Sequence, residues 1–148
     1  MGLDMNLLAR RYLSDYKEDD KKLKEALNAL VPDHDGIELN YLMGEAMYWR
    51  KENHIHKWFV DNVQDGEDDC REYYVTQEEL AKLIDIMKRV LADHSLAQEL
   101  LPTQSGFFFG GTDYGEYYYE SLEGTVEALE KYLTEKYADW EFYYHSSW

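Results

Sequence analysis

The sequence predicts a single α+β domain in which helices pack on one face of a small, mainly antiparallel sheet. Near both ends of the chain apolar residues alternate with polar ones, as they do in half-buried strands. Between the ends they recur every three or four residues, as they do in amphipathic helices. The 148 residues suffice for one core and contain no repeat or linker, so we expect one domain over 1–148.

The first half of the chain predicts strands and helices in alternation. Period-two alternation indicates a strand over 3–12. An apolar stripe at helical spacing then indicates a charged helix over 17–31, which the turn residues 32–36 end. Residues 37–48 combine strand and helix features, and we interpret them as mostly strand. Apolar residues spaced four apart predict a helix over 52–63.

The clearest element is a helix over 76–91. Thr76 and Glu79 form a capping box, and a continuous apolar stripe follows them. A short strand over 71–75 precedes this helix. A second, short helix over 95–101 ends before a proline, which disfavours helical conformation in the residue that precedes it.

The last third begins with a glycine-rich loop. Residues 103–113 read as a loop that passes through a short apolar strand at Phe107–Phe109 to a Gly-Gly turn. A long helix is expected over 116–137. Aromatic and polar residues then alternate over 140–148, which predicts a final strand.

The charge of the chain is strongly acidic and unevenly placed. The net charge is −16, and residues 95–148 carry ten acidic but only two basic side chains. Such a charge repels nucleic acid and favours basic partners, or serves solubility alone. The single cysteine, Cys70, excludes an internal disulfide. Because we find neither a signal peptide nor a transmembrane stretch, we expect a cytoplasmic protein with no membrane contact.

Two segments carry residue types that bind metals. Asp61 to Glu72 places acidic residues and a glycine at EF-hand positions, but its third position is Val63 and a strand is expected to follow. We therefore interpret it as an acidic surface turn and expect no tight calcium binding. His54 and His56 are two apart, and such residues do not share a helix face. No metal or other cofactor is predicted.

Familiar catalytic motifs are not found in the sequence. Cys70 lies beside acidic residues, which discourage the thiolate. The run Thr103–Gly106 lacks the first glycine of a nucleophile elbow. The glycines at 106, 110 and 111 are not followed by the Lys-Ser/Thr of a phosphate loop. We therefore expect a binding protein more than an enzyme.

The candidate binding site combines aromatic, cationic and amide side chains. At helical spacing Arg50, Asn53 and His56 would share one face. A guanidinium, an amide and an aromatic plane can hold a planar anionic ligand by stacking and bidentate hydrogen bonds. The loop over 102–107 can supply the other wall. The alternative is a core tryptophan with Arg50 paired to a carboxylate. The predicted ligand-binding residues are Trp49, Arg50, Asn53, His56, Gln104, Ser105 and Phe107.

Several runs of residues resemble a family of small phage and prophage proteins for which no activity is established. These runs are Gly2–Met5, Tyr48–Lys51 with Asn53, Ile55–His56, Trp58–Val60, Asn62–Gly66, Asp68–Cys70, Leu100–Gly110, Phe142–Tyr144 and Ser146–Trp148. The resemblance spans almost the whole chain, although Asn6 stands where many relatives have an aromatic residue. It implies a mobile genetic element that acts inside a bacterial host cell, and it implies no catalytic residues.

Three functions remain as alternatives. The first is a non-enzymatic protein that counteracts host defence by binding a nucleotide-like or other small anionic ligand. The second is an acidic inhibitor that occupies a nucleic-acid-binding surface of a host protein, through Glu123, Glu127 and Glu130. The third, a metal-dependent hydrolase that uses His54 or His56, has the least support. The expected partner is a small anionic ligand or a host protein, without direct nucleic-acid contact, and the oligomeric state is left open.

Overall fold

The computed structural model describes residues 2–31 and 36–148 and confirms the α+β class. Most of the turn expected at 32–36 lies outside the described residues. The antiparallel sheet has the order β2-β1-β4-β3 and consists of β1 (Asp4–Tyr12), β2 (Tyr41–Arg50), β3 (Tyr73–Val75) and β4 (Trp140–Ser147). The helices are α1 (Glu18–Leu30), α2 (Asn53–Asn62), α3 (Gln77–Ala92), α4 (Ala97–Leu100) and α5 (Glu116–Glu130).

The core lies between the sheet and the helices α2, α3 and α5. Met5 and Leu7 of the central strand β1 are fully buried. Phe59 of α2 stacks on Tyr144 of β4 with ring centroids 4.0 Å apart, a contact that joins helix and sheet. The expected capping box at Thr76 begins α3. The buried α3 residues are Leu80, Leu83, Ile84, Met87 and Val90.

A β-bulge in β2 explains why the sequence pattern there is ambiguous. Leu7 pairs with Met47 but Leu8 pairs with Glu45, so Ala46 has no partner across the ladder. The Ala46 carbonyl accepts a hydrogen bond of 2.9 Å from the Tyr132 hydroxyl instead. Beyond the bulge the inward positions change from even to odd numbers, which turns Trp49 into the core.

Two expected elements differ from the structure. Phe107–Phe109 is a turn, because Phe108 has a left-handed φ of 69° and the Phe109 N–H donates to the Gly106 carbonyl at 3.1 Å. The helix expected over 116–137 ends at Glu130 and continues as two 3-10 turns. Between these turns the Thr134 hydroxyl donates to the Lys131 carbonyl at 2.8 Å, a local bond that competes with regular helix.

None of the helices in the described ranges is both long enough and apolar enough to cross a lipid bilayer.

Candidate functional site

A cavity of about 300 Å³ lies where the end of β2, the start of α2 and the loop over 102–115 meet. This volume is at the lower end of the roughly 300–1,000 Å³ found for small-molecule sites. The side chains that dominate its polar lining are Arg50, Lys51, Glu52, His54, Asp113 and Tyr117. We call this space the junction cavity.

A second cavity of about 290 Å³ adjoins the junction cavity on the side of α5. The two share Arg50, Glu52 and Tyr117 in their linings. The second cavity adds Trp49 and Ser121. Glu52 therefore borders both cavities.

The backbone between β2 and α2 is bent sharply and fits against the glycine-rich loop. Lys51 has a left-handed φ of 58°, a conformation that is uncommon for residues other than glycine. The Lys51 N–H donates to the Leu3 carbonyl at 2.8 Å, which holds this bend on β1. A Cβ atom at Gly110 would lie 2.9 Å from the Lys51 carbonyl oxygen, so only glycine permits this approach.

Asn53 fixes the loop as one wall of the junction cavity. Its Nδ2 donates to the carbonyl oxygens of Phe109 at 3.1 Å and Gly111 at 2.8 Å. Its Oδ1 accepts a hydrogen bond of 2.8 Å from the Gln104 N–H. Because these contacts engage both ends of a buried amide, Asn53 positions the wall rather than offering its amide to a ligand.

Glu52 lines the junction cavity together with the two cationic residues Arg50 and Lys51. The residue is only 6% exposed, and its Oε2 has no hydrogen-bond partner. Burial raises the pKa of this carboxyl, and hydrogen bonds from the hydroxyls of Tyr117 and Ser121 act in the opposite direction. The bond to Glu52 in turn raises the pKa of Tyr117 to about 12. One oxygen of Glu52 is thus buried without a hydrogen-bond partner, 3.6 Å from the His54 Nε2.

His54 lies beside Glu52 and Ser121 without forming a catalytic triad. Its Nε2 is 3.2 Å from the Ser121 Oγ and 3.6 Å from the Glu52 Oε2. In a triad the acid holds Nδ1 while the serine contacts Nε2, whereas here both groups approach the same nitrogen. Burial lowers the pKa of His54 to about 3, so the ring is neutral at physiological pH.

Of the first three predicted site residues, Trp49 and Asn53 are buried, whereas Arg50 is exposed. Arg50 lines the junction cavity with its side chain 56% exposed. It is the last residue of β2, so the helical spacing that we expected between Arg50 and Asn53 does not apply. Trp49 is buried, donates its indole N–H to the Thr125 Oγ1 at 2.9 Å and lines only the adjoining cavity.

His56 is directed into the core, so it does not share a ligand-facing side with Asn53. Its Nδ1 is 2.7 Å from the Tyr144 hydroxyl and its Nε2 is 2.9 Å from the Asp68 Oδ2. Asp68 also accepts a hydrogen bond of 2.9 Å from the indole N–H of Trp148. Through Asp68, His56 therefore attaches the turn after α2 to the end of β4.

The loop contributes to the junction cavity through residues other than those predicted. Gln104 contacts Asn53 through its backbone, Ser105 is exposed, and Phe107 is 85% exposed. The loop residues that line the cavity are Thr103, Gly110, Gly111 and Asp113. Glu52, Tyr117 and Ser121 were missed, because no motif marks them and they become neighbours only in the fold.

Metal-binding geometry is not found in the described part of the chain, where no group of three or more His, Cys, Asp or Glu residues could hold an ion. In the segment with EF-hand spacing, Asp61 pairs with Lys57 at 2.6 Å and Glu72 pairs with Arg10. Helix α2 ends at Asn62 and a strand follows Glu72, so the two-helix frame of an EF-hand is not formed. The expectation of no tight calcium binding stays a prediction.

No family model, curated protein or solved structure matches this chain. The resemblance to phage and prophage proteins therefore stays a prediction. What the junction cavity binds has to be inferred from its own side chains.

Proposed function

We propose that this chain is a non-enzymatic binding protein whose junction cavity takes a small anionic ligand that also carries a hydrogen-bond donor. The observation that carries the proposal is the buried carboxyl of Glu52, whose Oε2 has no hydrogen-bond partner and whose residue lines the cavity together with Arg50 and Lys51. The cations would hold the anionic group of the ligand, and Glu52 would accept its N–H or O–H.

The energetic argument concerns the unpaired oxygen of Glu52. A buried polar atom without a hydrogen bond costs about 1–3 kcal/mol, so a ligand donor at this position gains more than it would in water. The Glu52 carboxyl is buried in a site where Lys51 also has a left-handed backbone conformation. Perturbed carboxyls and backbone strain both concentrate at functional sites.

Nucleotide-like molecules fit this combination of groups. Their phosphate is a partner for Arg50 and Lys51, and the N–H groups of a base are donors for Glu52. Tyr117 also lines the cavity, is 65% exposed and offers an aromatic ring on which a planar base can stack. The volume of about 300 Å³ favours a mononucleotide over a larger ligand.

The biological role that we propose is the sequestration of such a ligand during phage infection, which would counteract a host defence. The resemblance to phage and prophage proteins supports this part of the proposal. The net charge of −16 opposes anion binding at long range. Arg50 and Lys51 would therefore have to act locally, at the mouth of the cavity.

Calorimetry with a defined panel tests the proposal. The panel comprises nucleoside monophosphates, the matching nucleosides and inorganic phosphate, and native mass spectrometry of protein from infected cells detects ligands outside it. We expect a monophosphate to bind more tightly than its nucleoside and more tightly than phosphate. Only the monophosphate would contact the cations Arg50 and Lys51 through its phosphate and Glu52 through its base. Failure of every panel member together with a ligand-free mass spectrum would contradict the proposal.

The acidic inhibitor remains as a second candidate because of the exposed acidic side of α5. Glu123 and Glu127 are exposed there, and Glu130, which pairs with Lys88, is exposed as well. This function requires that replacing all three by glutamine abolishes inhibition of the host protein and its salt sensitivity. The small-ligand proposal requires that the same triple variant retains full activity.

A further inference from the structure

One face of the sheet carries no part of the core and presents a group of exposed tyrosines. Most side chains on the helix side of β1 and β4 are buried, whereas five large side chains on the other side of β1, β2 and β3 are 45–68% exposed. We call this side the open face. Its most exposed large side chains are Tyr12, Tyr41, Met43, Tyr48 and Tyr74.

The aromatic rings of the open face form two cross-strand pairs. Tyr12 and Tyr41 are register partners with ring centroids 5.3 Å apart. Tyr74 and Tyr143 are register partners with centroids 5.6 Å apart. Each pair is T-shaped, which leaves ring faces for further contacts, and one face of Tyr143 is already covered by Arg10.

Carboxylates lie between the tyrosines of the open face. Asp4, Glu45 and Glu141 occupy outward register positions on β1, β2 and β4. Glu72 lies just before β3 and reaches the same side through its ion pair with Arg10. The open face therefore combines aromatic rings with negative charge, which is the chemistry that binds guanidinium groups.

Arg10 shows within this chain how a guanidinium fits the open face. Its Cζ lies 4.4 Å from the centroid of the Tyr143 ring, and its guanidinium pairs with Glu72. Stacking on a tyrosine and pairing with a carboxylate are thus satisfied together by one arginine. Tyr48 offers a further ring beside a carboxylate, since its hydroxyl donates to Asp4.

We propose that the open face binds an arginine-rich segment of a partner protein. Charge complementarity selects this occupant, since the chain carries a net charge of −16 and the open face holds four carboxylates against two arginines, Arg10 and Arg50. Nucleic acid would bring phosphates against those carboxylates, and a second copy would bring the same negative charge. The open face borders the junction cavity at Arg50, whose Nε lies 4.0 Å from the Asp4 Oδ1. Its proposed occupant is a cationic peptide instead of a small anion, so this inference goes beyond the proposed function.

The test measures binding of an octa-arginine peptide and an octa-lysine peptide by fluorescence anisotropy at physiological salt. Arginine stacks on aromatic rings and pairs bidentately with carboxylates, so we expect the arginine peptide to bind about tenfold more tightly. Tyr74→Ser should weaken its binding about threefold. The matched variant Tyr16→Ser, which changes a 98% exposed tyrosine outside the sheet, should leave binding unchanged.

A second pair of variants separates the open face from overall charge. Glu45→Gln/Glu141→Gln and Glu123→Gln/Glu127→Gln remove the same charge, but only the first pair lies on the open face. We expect only the first pair to weaken binding of the arginine peptide, about tenfold. Equal loss in both pairs, or equal binding of the two peptides, would overturn the proposal.

Two further measurements test the other occupants of the open face. Tighter binding of a single-stranded oligothymidine than of the arginine peptide would overturn the proposal in favour of nucleic acid. Sedimentation that shows a dimer lost in Tyr41→Ser would assign the open face to a second copy of this chain instead.

Discussion

The Nε2 of His54 lies 3.6 Å from the Oε2 of Glu52 inside the protein, and burial favours the neutral form of both. For Glu52 the pKa is raised, and for His54 it is lowered to about 3. The two residues therefore give opposite pH dependences to the free energy of unfolding. Each dependence can be removed by one substitution.

Replacing Glu52 by Gln should stabilise the protein and reduce ligand binding. Because the folded pKa is raised, the neutral carboxyl stabilises the folded state at low pH and this contribution is lost as pH rises. Gln keeps an acceptor for Tyr117 and Ser121 but carries no charge. We expect the free energy of unfolding at pH 8 to rise by roughly 0.5–2 kcal/mol, as measured by urea denaturation.

The matched control for this substitution is Glu127→Gln on the exposed side of α5. It removes the same charge from a solvated position, where surface substitutions change stability by less than about 0.5 kcal/mol. If Glu52→Gln destabilises the protein at pH 8, the buried Glu52 carboxylate does not destabilise the folded state. The argument that Glu52 binds a ligand would then fail.

Replacing His54 by Gln should remove part of the acid sensitivity of the fold. Between pH 6.5 and the folded pKa of about 3, the unfolded chain binds a proton that the folded chain excludes, so stability falls as pH falls. From pH 6.5 to pH 4 the wild type should lose about 3 kcal/mol more than His54→Gln. Urea denaturation at the two pH values measures this difference, and equal losses would contradict the buried, neutral His54.

Gly110 should tolerate no side chain, because its position lets the loop approach Lys51. A Cβ there would lie 2.9 Å from the Lys51 carbonyl oxygen, and the φ of 93° disfavours other residues. We expect Gly110→Ala to lower the free energy of unfolding by about 1–3 kcal/mol. Gly124→Ala is the control, since no atom lies within 4 Å of its Cβ and alanine favours helix by about 1 kcal/mol. Destabilisation of similar size in both variants would contradict this account of the loop.

Leu83 should be essential to the core under α3. Its side chain is fully buried, and an aspartate there would be a buried charge without a partner. We expect Leu83→Asp to unfold the domain, as judged by circular dichroism. Ala81→Asp adds the same charge at an exposed position of α3 and should melt within a few degrees of the wild type. Unchanged melting of Leu83→Asp would contradict the packing.

The sequence was most informative where local signals agree with one another. Helix α3 was predicted to within a residue at each end, because its capping box and apolar stripe specify the same element. The strand β2 was ambiguous because the bulge at Ala46 breaks its period of two. The pattern at Phe107–Phe109 wrongly predicts a strand, because three apolar residues also suit a turn between glycines that buries only Phe109.

The candidate site could be predicted only in part. The sequence suggested that the segment around Asn53 would meet the loop near Gln104, and the two are hydrogen-bonded at 2.8 Å. It could not indicate Glu52 or Tyr117, since a carboxyl becomes exceptional only when tertiary packing buries it without a partner. His56 could not be distinguished from a ligand-binding residue until its partners Tyr144 and Asp68 were located.

The central claim is that Arg50 holds the anionic group of a ligand in the junction cavity. Calorimetry of wild type and Arg50→Ala tests it most directly, with the nucleoside monophosphate that binds the wild type best as the probe. Arg71→Ala is the matched control, because Arg71 is 67% exposed and lies outside the cavity. Since a hydrogen bond to a charged group contributes about 1.5–3 kcal/mol, we expect Arg50→Ala to weaken binding at least about tenfold while its circular dichroism is unchanged. An Arg50→Ala protein that is folded and binds as tightly as the wild type would contradict the claim.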